Sequence, residues 1–244
     1  MTRQWTPTPV DMSQLDLAGD GLKTHWAALH AGNLEPYPTD ERLQNAWRLY
    51  HLGQFAAAAD LGCEIGGAGL VPAAFATTIY AQYVESDAKR KPELFKEAAA
   101  LCRQAADAGV DSANLHYMHA VCMGRYSQFI SMIEALAQGY GGKIKEAVER
   151  CLELAPNHAE AHITFGGWHA GITDQAGNMM ARMLYGATQE GSHEHYDEAV
   201  RLVPSSPVVH LEYARGMEVM YGKTEKARIV VEYQQAFSLK PTDA

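Results

Sequence analysis

Histidines are the residues of this sequence whose spacing first suggests chemistry, because the neutral imidazole is a common ligand of transition metals. Three pairs stand close enough to supply two ligands each, namely His116 with His119, His158 with His162, and His193 with His195. No pair has a third ligand at a recognisable spacing. In the stretch HAEAH at 158–162 the glutamate stands one place too late for the HExxH motif of zinc proteases. We therefore expect no bound metal and interpret these histidines as capping, surface or core residues.

Motifs for covalent catalysis or phosphate binding do not occur in the sequence. It contains neither a GxSxG nucleophile elbow nor a GxxxxGK[ST] phosphate loop. The glycine-rich stretch GCEIGGAGL at 62–70 has no strand pattern before it, which indicates a helix end and a loop rather than a dinucleotide-binding turn. The sequence therefore predicts a protein that is not an enzyme and holds no cofactor.

The composition is that of a folded globular protein. Of 244 residues 47% are apolar and 20% are charged, and the formal net charge is −9. An acidic chain without a run of Lys and Arg is not expected to bind nucleic acid. The four cysteines, at positions 63, 102, 122 and 151, form no CxxC pair, and their apolar surroundings in the sequence predict free buried thiols.

The N-terminal stretch MTRQWTPTPVDMSQ has neither the pattern of a secretory leader nor a lipidation cysteine. No run of ~18 apolar residues follows it anywhere in the chain. We therefore expect a cytoplasmic protein that does not span a membrane, in which residues 1–16 form a flexible N-terminal segment.

Helical patterns dominate the rest of the chain. A leading helix is predicted over 20–32, with Asp20 as its cap and with Leu22, Trp26 and Leu29 on one face. Further helix starts are indicated by Thr39, by the capping-box spacing of Asn157 and Glu160, and by Ser206 before Pro207.

Three predicted helix ends repeat one spacing. In CLELAPNHAEAH, AVRLVPSSPVVH and AFSLKPTDA a small or apolar residue precedes a proline by five positions, the pairs being Cys151 and Pro156, Ala199 and Pro204, and Ala236 and Pro241. This spacing resembles the second helix of the tetratricopeptide repeat (TPR), a helical hairpin that stacks into solenoids. The resemblance places the small residue of the first helix at Gly166, with Ala120 and Ala214 at matching positions. It implies that two helices approach each other closely there.

The predicted fold class is therefore all-α, a TPR-like helical-hairpin solenoid of about five degenerate units with insertions. We expect one domain over 17–244, with units at about 42–71, 73–108, 112–155, 159–203 and 207–240. Plain repeats have ~34 residues, so insertions are predicted at VESDAKRKPEL, YSQFISMIEALAQGYGGK and ITDQAGNMMARMLYGATQEGSHEH. In the second unit, AAFATTIYAQYV fits two registers.

The central part of the chain resembles one family within this superfamily. The stretches NLHYMHAVCMG, GGKIKEAVERCLELAPNHAEAHITFGGWHAGI, ARMLYGAT and YDEAVRLVP are similar to the regulator of microtubule dynamics family. That family has the same lengthened third unit, the same GxKI run and a similar insertion of Met, Leu and aromatic residues. The resemblance implies an association with membranes as well as roles linked to microtubules.

Stacked helical hairpins leave a concave groove that is lined by their first helices and commonly binds peptides or helices. The repeat phase predicts these groove residues: Trp47, Tyr50, Tyr117, Val121, Arg125, Ile163, Gly167, Arg215 and Glu218. The set is mostly apolar and aromatic, and it departs from the Lys, Asn and Arg clamp that holds a C-terminal carboxylate in the superfamily. It favours an apolar helix or an acyl chain as ligand, with Arg125 or Arg215 as a charged anchor.

The insertion in the fourth unit contains AGNMMARMLYGA. Met179 and Met183 stand four residues apart, as do Met180 and Leu184, so a short helix here would present an adaptable apolar face. We predict that this face lies over the groove as a lid or contact strip. The alternative is that it fills the core.

Two functions from different classes follow from these patterns. The first is a non-catalytic scaffold that binds a segment of a partner protein in its groove. The alternative is a carrier of a lipid or another apolar small molecule, in which the insertions close the groove into a tunnel.

Overall fold

A computed structural model describes residues 3–12 and 15–240 of the chain. Over these residues the protein is helical and contains no β-strand. The helices are α1 (Gly21–Leu29), α2 (Glu41–His51), α3 (Phe55–Ile65), α4 (Leu70–Ile79), α5 (Arg90–Asp107), α6 (Ala113–Ser127), α7 (Met132–Ala137), α8 (Tyr140–Leu154), α9 (Ala159–Tyr185), α10 (Gln189–Leu202), α11 (Pro207–Tyr221) and α12 (Lys226–Ser238). Successive helices pack in pairs, α2 with α3, α4 with α5, α9 with α10 and α11 with α12. The predicted all-α fold of TPR-like helical hairpins is confirmed.

Two helix starts differ by one residue from the predicted caps. Asp40, rather than Thr39, caps α2, because its carboxylate accepts hydrogen bonds from two backbone N–H groups of the first turn. His158 caps α9 in place of the predicted box of Asn157 and Glu160, since its Nδ1 accepts a first-turn N–H at 3.0 Å. The predicted caps of α1 and α11 make no side-chain hydrogen bond to their helices.

The contacts divide the chain into two compact units. Among the described residues, the N-terminal unit comprises those up to His30 together with Glu35–Glu134, and the C-terminal unit comprises Ala31–Leu34 together with residues 135–240. The boundary lies inside α7, and hence inside the insertion of the predicted third repeat. The first unit contains α6 and the second contains α8. The single domain expected over 17–244 stays a prediction.

The core of the N-terminal unit combines α1 with the first two hairpins and α6. Leu22, Trp26 and Leu29, which were placed on one face of the leading helix, are all buried. Trp26 meets Trp47 of α2 edge to face, with ring centroids 6.0 Å apart. The ring of Phe75 in α4 lies 5.2 Å from that of Trp47. Aromatic contacts thus join α1, α2 and α4.

The core of the C-terminal unit contains Tyr196 of α10, which is 2% exposed and stacks on Tyr213 of α11 with centroids 4.7 Å apart. Its ring also lies against the backbones of Gly166 in α9 and Gly216 in α11, where an added Cβ would come within 2.9 Å and 2.5 Å of ring atoms. The Oγ of Ser192 donates a hydrogen bond to the carbonyl of Gly166 at 2.8 Å. The close approach predicted at Gly166 is confirmed.

The three predicted insertions take different forms. In the second unit, a π-helical turn over Tyr80–Val84 follows α4 and leads to the loop before α5. In the third unit, the insertion contains the short helix α7. In the fourth unit, the non-helical conformation of Gly177 divides α9, and the short helical stretch that follows, up to Tyr185, carries the methionines of the insertion, as predicted.

The described part of the N-terminal segment packs on its unit, and the flexibility expected over 1–16 stays a prediction. Trp5 stacks on Tyr80, with centroids 4.3 Å apart and planes inclined by 10°. The N–H of Thr6 donates to the hydroxyl of Tyr80 at 3.2 Å. A tryptophan buries a large apolar surface even in a segment without regular structure.

The cysteines are free thiols as predicted, and all are buried except Cys63, which is half-buried. A hydrogen bond with Cys122, followed by burial, raises the pKa of the Cys102 thiol and so favours its protonated form. Among the described helices, none combines the length and the apolar character that crossing a bilayer requires.

Candidate binding surface

The last part of α9 carries an exposed apolar surface. Met179, Met180, Met183 and Leu184 are 80%, 40%, 69% and 57% exposed. Their spacing places them on one side of the helix, and we call these four residues the methionine strip. Large apolar side chains exposed side by side are typical of interaction surfaces. Their exposure also places them outside the core.

The opposite side of this stretch is packed within the C-terminal unit. Ala181 is fully buried. The carbonyl of Tyr185 accepts a hydrogen bond from the Nζ of Lys145 in α8 at 3.2 Å. An added Cβ on Gly141 would lie 2.9 Å from the ring of Tyr185, so the start of α8 approaches the end of α9 closely. These contacts hold the helix that presents the methionine strip.

Gly177 determines the direction of that helix. Its φ of 73° and ψ of 151° interrupt α9 two residues before Met179. This is a conformation that residues with a side chain rarely adopt, and glycine adopts it without a steric penalty. The break therefore separates the part of α9 that packs in the repeat from the part that carries the strip.

The groove candidates of the N-terminal unit lie partly in its core. Trp47 is 0% exposed, which corrects its assignment to a groove surface. The physical reason is that α1, which precedes the repeats, covers this face of α2 with Trp26. Tyr50 and Tyr117 are half-buried, and their rings lie 5.7 Å and 6.0 Å from that of Phe75. These aromatic side chains connect α2, α4 and α6, the first helices of three predicted repeats.

Val121 and Arg125 are the other candidates of this unit, and both lie half-buried on α6. Val121 packs against the core. Arg125 stands in the last turn of α6, where a positive charge interacts favourably with the helix dipole. The role of Arg125 as an anchor for a ligand stays a prediction.

The candidates of the C-terminal unit do not form an apolar surface. Ile163 is 9% exposed and belongs to the core, because α10 and α11 both pack on α9. Gly167 is exposed. Arg215 is also exposed, and its guanidinium donates to a carboxylate oxygen of Glu212 at 2.7 Å. Glu218 is exposed and accepts a hydrogen bond from a tyrosine of α12. The methionine strip is thus more apolar than the surface formed by these groove candidates.

Histidines of the C-terminal unit bind each other and tyrosines. The Nδ1 atoms of His162 and His195 lie 2.9 Å apart. His193 lies between two hydroxyl groups, 2.9 Å from that of Tyr213 and 2.8 Å from that of Tyr221. Across the residues that the structure describes, no group of three or more His, Cys, Asp or Glu is arranged to hold a metal ion.

In three histidines of the C-terminal unit, His158, His169 and His195, burial lowers the pKa of the imidazole to about 4. Lys145 adds to this effect at His169. The Nδ1 of His169 accepts a hydrogen bond from the N–H of Thr188 at 3.0 Å, just as that of His158 accepts a first-turn N–H of α9. A protonated Nδ1 could not accept these bonds. The rings of His158 and His169 therefore need to be neutral.

Sequence spacing gave no indication of one charged cluster in the N-terminal unit. Asp60 of α3 and Glu97 of α5 both bind the guanidinium of Arg3. A cavity of about 430 Å³ adjoins this cluster and is lined by Arg3, Trp5, Arg90, Glu93, Leu94 and Glu97. The three charged residues of the cluster stand far apart in the chain, so only the fold brings them together.

A model of the family described as Regulator of microtubule dynamics protein 1-3 matches residues 70–243, which begin at the first residue of α4. This match covers more than half of the chain and confirms the predicted resemblance. Among solved structures, YrrB, described as a TPR protein with an unusual peptide-binding site, is similar at 14% identity with a TM-score of 0.41. That similarity covers 90% of this chain and 92% of the YrrB chain. No curated protein matches the sequence.

Proposed function

We propose that this chain, which belongs to the regulator of microtubule dynamics protein 1-3 family, is a non-catalytic scaffold that binds an apolar helix of a partner protein. The binding surface is the methionine strip. The observation that carries the proposal is the exposure of its four apolar side chains on one side of α9. Removing apolar surface from water favours association, and a bound helix would cover this surface.

The chemistry of the strip favours a helix as its ligand. Side chains at successive turns of α9 form a ridge that two turns of a partner helix can cover. Methionine side chains are flexible and polarizable, so they adapt to apolar partners of different shape. Strand addition is not favoured, because the backbone groups of a helix are already bonded within it and offer no edge.

One charged residue beside the strip indicates what should flank the apolar face of the partner. Arg182 is 70% exposed and lies 3.5 Å from the carboxylate of Glu190, whose side chain is 74% exposed. Exposed ion pairs of this kind contribute at most about 1 kcal/mol. Arg182 can therefore exchange Glu190 for a carboxylate of the partner, and we expect an acidic residue next to the partner's apolar face.

The carrier alternative has less support. The cavity of the N-terminal unit is lined by four charged side chains among its six residues. An acyl chain binds best between mainly apolar walls. The methionine strip is an exposed surface, so it does not enclose an acyl chain either.

Site-specific photo-crosslinking in the native host tests the scaffold proposal. A photoreactive amino acid replaces Met179 in one variant and Asp174, which is also exposed on α9 but precedes Gly177, in the control. We expect protein adducts from position 179 only, attached to peptides with apolar residues at helical spacing. Combining Met179→Ser, Met180→Ser and Met183→Ser should abolish recovery of the same partner.

Native mass spectrometry of protein isolated from the same host distinguishes the two functions. A bound polypeptide that is lost in the triple serine variant supports the scaffold. A retained mass of lipid size, unaffected by that variant, would support the carrier instead. Equal adducts from positions 174 and 179 would show that the strip has no special role in binding.

A further inference from the structure

The N-terminal segment lies on its own unit with its arginine held by two carboxylates. The side chain of Arg3 is 19% exposed. Its Nη1 lies 2.5 Å from Asp60 Oδ1, and its Nη2 lies 2.5 Å from Glu97 Oε1. The backbone N–H of Arg3 also donates to the second carboxylate oxygen of Asp60 at 2.9 Å. Charge-assisted hydrogen bonds of this kind are stronger than neutral ones.

An aromatic contact fixes the segment two residues further on. The indole of Trp5 stacks on the ring of Tyr80, which is 1% exposed. The hydroxyl of Tyr80 accepts the N–H of Thr6. The guanidinium of Arg3 lies 5.5 Å from the centre of the Trp5 ring, within the range of a cation–π interaction. Arg3 and Trp5 are therefore held in one arrangement on the surface of the unit.

The segment continues towards the turn between α2 and α3. A Cβ added to Gly53 would lie 2.5 Å from the methyl group of Thr8, and the φ of Gly53 is 67°. Residues 3–8 form neither helix nor strand. The segment is thus attached through side chains and a few main-chain bonds, as an extended peptide is on a receptor.

We propose that Asp60, Tyr80 and Glu97 form a peptide-recognition site for a segment with arginine two positions before tryptophan. Residues 3–8 of this chain occupy the site as a tethered ligand. The contacts that hold Arg3, Trp5 and Thr6 come from the side chains of Asp60, Glu97 and Tyr80, so a separate peptide with the same residues can make the same contacts. The site belongs to the N-terminal unit and the methionine strip to the C-terminal unit. The test of the site does not depend on the proposed function.

The tether determines when a separate peptide can bind. A short linker gives a tethered ligand an effective concentration on the order of millimolar. A free peptide therefore competes poorly while residues 3–8 are attached. Removing them should expose the site, because the side chains of Asp60 and Glu97 are already 24% and 40% exposed beside Arg3.

Limited trypsin digestion of the full chain is the first test, since trypsin cleaves after Arg3. Cleavage requires the segment to leave its site, so its rate follows the population of the open form. Combining Asp60→Asn with Glu97→Gln should accelerate cleavage after Arg3 at least about tenfold. Cleavage after the exposed Lys223 should be unchanged. The control is Glu64→Gln, because Glu64 is an exposed carboxylate of α3 that pairs with Arg42.

Binding of a labelled peptide is the second test. A chain that lacks residues 1–9 is titrated into the fluorescent peptide TRQWTPTPV, and binding is followed by anisotropy. We expect the truncated chain to bind at least about tenfold more tightly than the full chain, because no tethered segment competes. A peptide with both Arg3→Ala and Trp5→Ala should not bind, and Asp60→Asn with Glu97→Gln in the truncated chain should abolish binding.

The digestion uses the full chain, so it tests the proposal even if the truncated chain fails to fold. Unchanged cleavage in the double variant overturns it. The proposal is also overturned if the peptide TRQWTPTPV and its variant with Arg3→Ala and Trp5→Ala bind the truncated chain equally well. A full chain that is dimeric, and becomes monomeric when residues 1–9 are removed, would show that the segment binds a second copy and would overturn the assignment to its own chain.

Discussion

The ring of Tyr196 lies so close to Gly216 that a Cβ on the glycine would stand 2.5 Å from ring atoms. Gly166 of α9 leaves room for the same ring from another helix, where the corresponding distance is 2.9 Å. One tyrosine of α10 therefore fills the space that two glycines leave open. Packing at this point depends on the absence of two side chains as much as on the presence of one.

Alanine at either glycine should destabilise the C-terminal unit. Alanine favours a helix by up to about 1 kcal/mol over glycine, but overpacking of a core costs about 1–3 kcal/mol. We expect Gly216→Ala to lower the free energy of unfolding by about 1–3 kcal/mol, and Gly166→Ala by somewhat less, since its Cβ would have more room. Urea denaturation followed by circular dichroism measures both.

Gly171 provides the matched control on α9. No heavy atom lies within 4 Å of a Cβ added there. Gly171→Ala should therefore stabilise the protein by about 0.5–1 kcal/mol through helix propensity alone. If Gly216→Ala were as stable as Gly171→Ala, the packing of Tyr196 described above would be incorrect.

Acid should destabilise the C-terminal unit between about pH 6.5 and pH 4. The pKa values of His158, His169 and His195 are about 4 in the folded protein, against an unperturbed value near 6.5. Between these values the unfolded chain binds more protons, so stability falls as the pH falls. Each histidine contributes at most about 1.4 kcal/mol per pH unit. Urea denaturation at pH 7, 6, 5 and 4 measures the slope.

A variant identifies the source of that slope. The side-chain oxygen of His169→Gln can accept the N–H of Thr188 but does not titrate. The variant should therefore lose less stability between pH 6.5 and pH 4 than the wild type. An identical slope in both proteins would argue against a neutral, buried His169.

Glu35 should produce the opposite dependence in the N-terminal unit. Burial raises its pKa to about 7, although a hydrogen bond from Asn114 at 2.7 Å opposes the shift. The folded protein then binds more protons than the unfolded chain between about pH 4.5 and pH 7, so stability falls as the pH rises. Glu35→Gln should stabilise the protein at pH 8 by on the order of 1 kcal/mol and have little effect at pH 4. Equal effects at both values would contradict the shift.

The methionine strip should contribute to binding without contributing to stability. The variant with Met179→Ser, Met180→Ser and Met183→Ser should keep the thermal midpoint of the wild type within roughly 2 °C, because surface substitutions change stability little. Met217→Ser is the comparison, since Met217 is 1% exposed. It should cost about 2–5 kcal/mol. Scanning calorimetry measures both, and a large loss in the triple variant would place the strip in the core.

Local signals in the sequence predicted much of the repeat architecture. Pro207 stands at the first turn of α11, as proline does at helix starts. The small residues at 120, 166 and 214 were inferred from the repeat phase alone, and all three are buried. Such features depend on residues within one hairpin, which is why spacing reveals them. Pro241, which completes the third of the spacings, lies outside the described residues.

Contacts between distant parts of the chain were not predictable in the same way. Trp47 occupies a groove position in the repeat phase, yet α1 covers it, and no repeat pattern contains α1. Arg3 meets Glu97 only because α5 packs on α4, which in turn packs on α3. The packing of the short helical stretch after Gly177 on α8 was likewise not visible in the spacing.

The break at Gly177 makes the orientation of the methionine strip depend on a count of residues. Each residue of a helix turns the next by about 100° around its axis. Deleting Asn178 would therefore rotate all four residues of the methionine strip to another side of α9 without changing any of their side chains. Length variation in this insertion could accordingly change which direction the surface faces, and so which partner it meets, without any substitution in the surface itself.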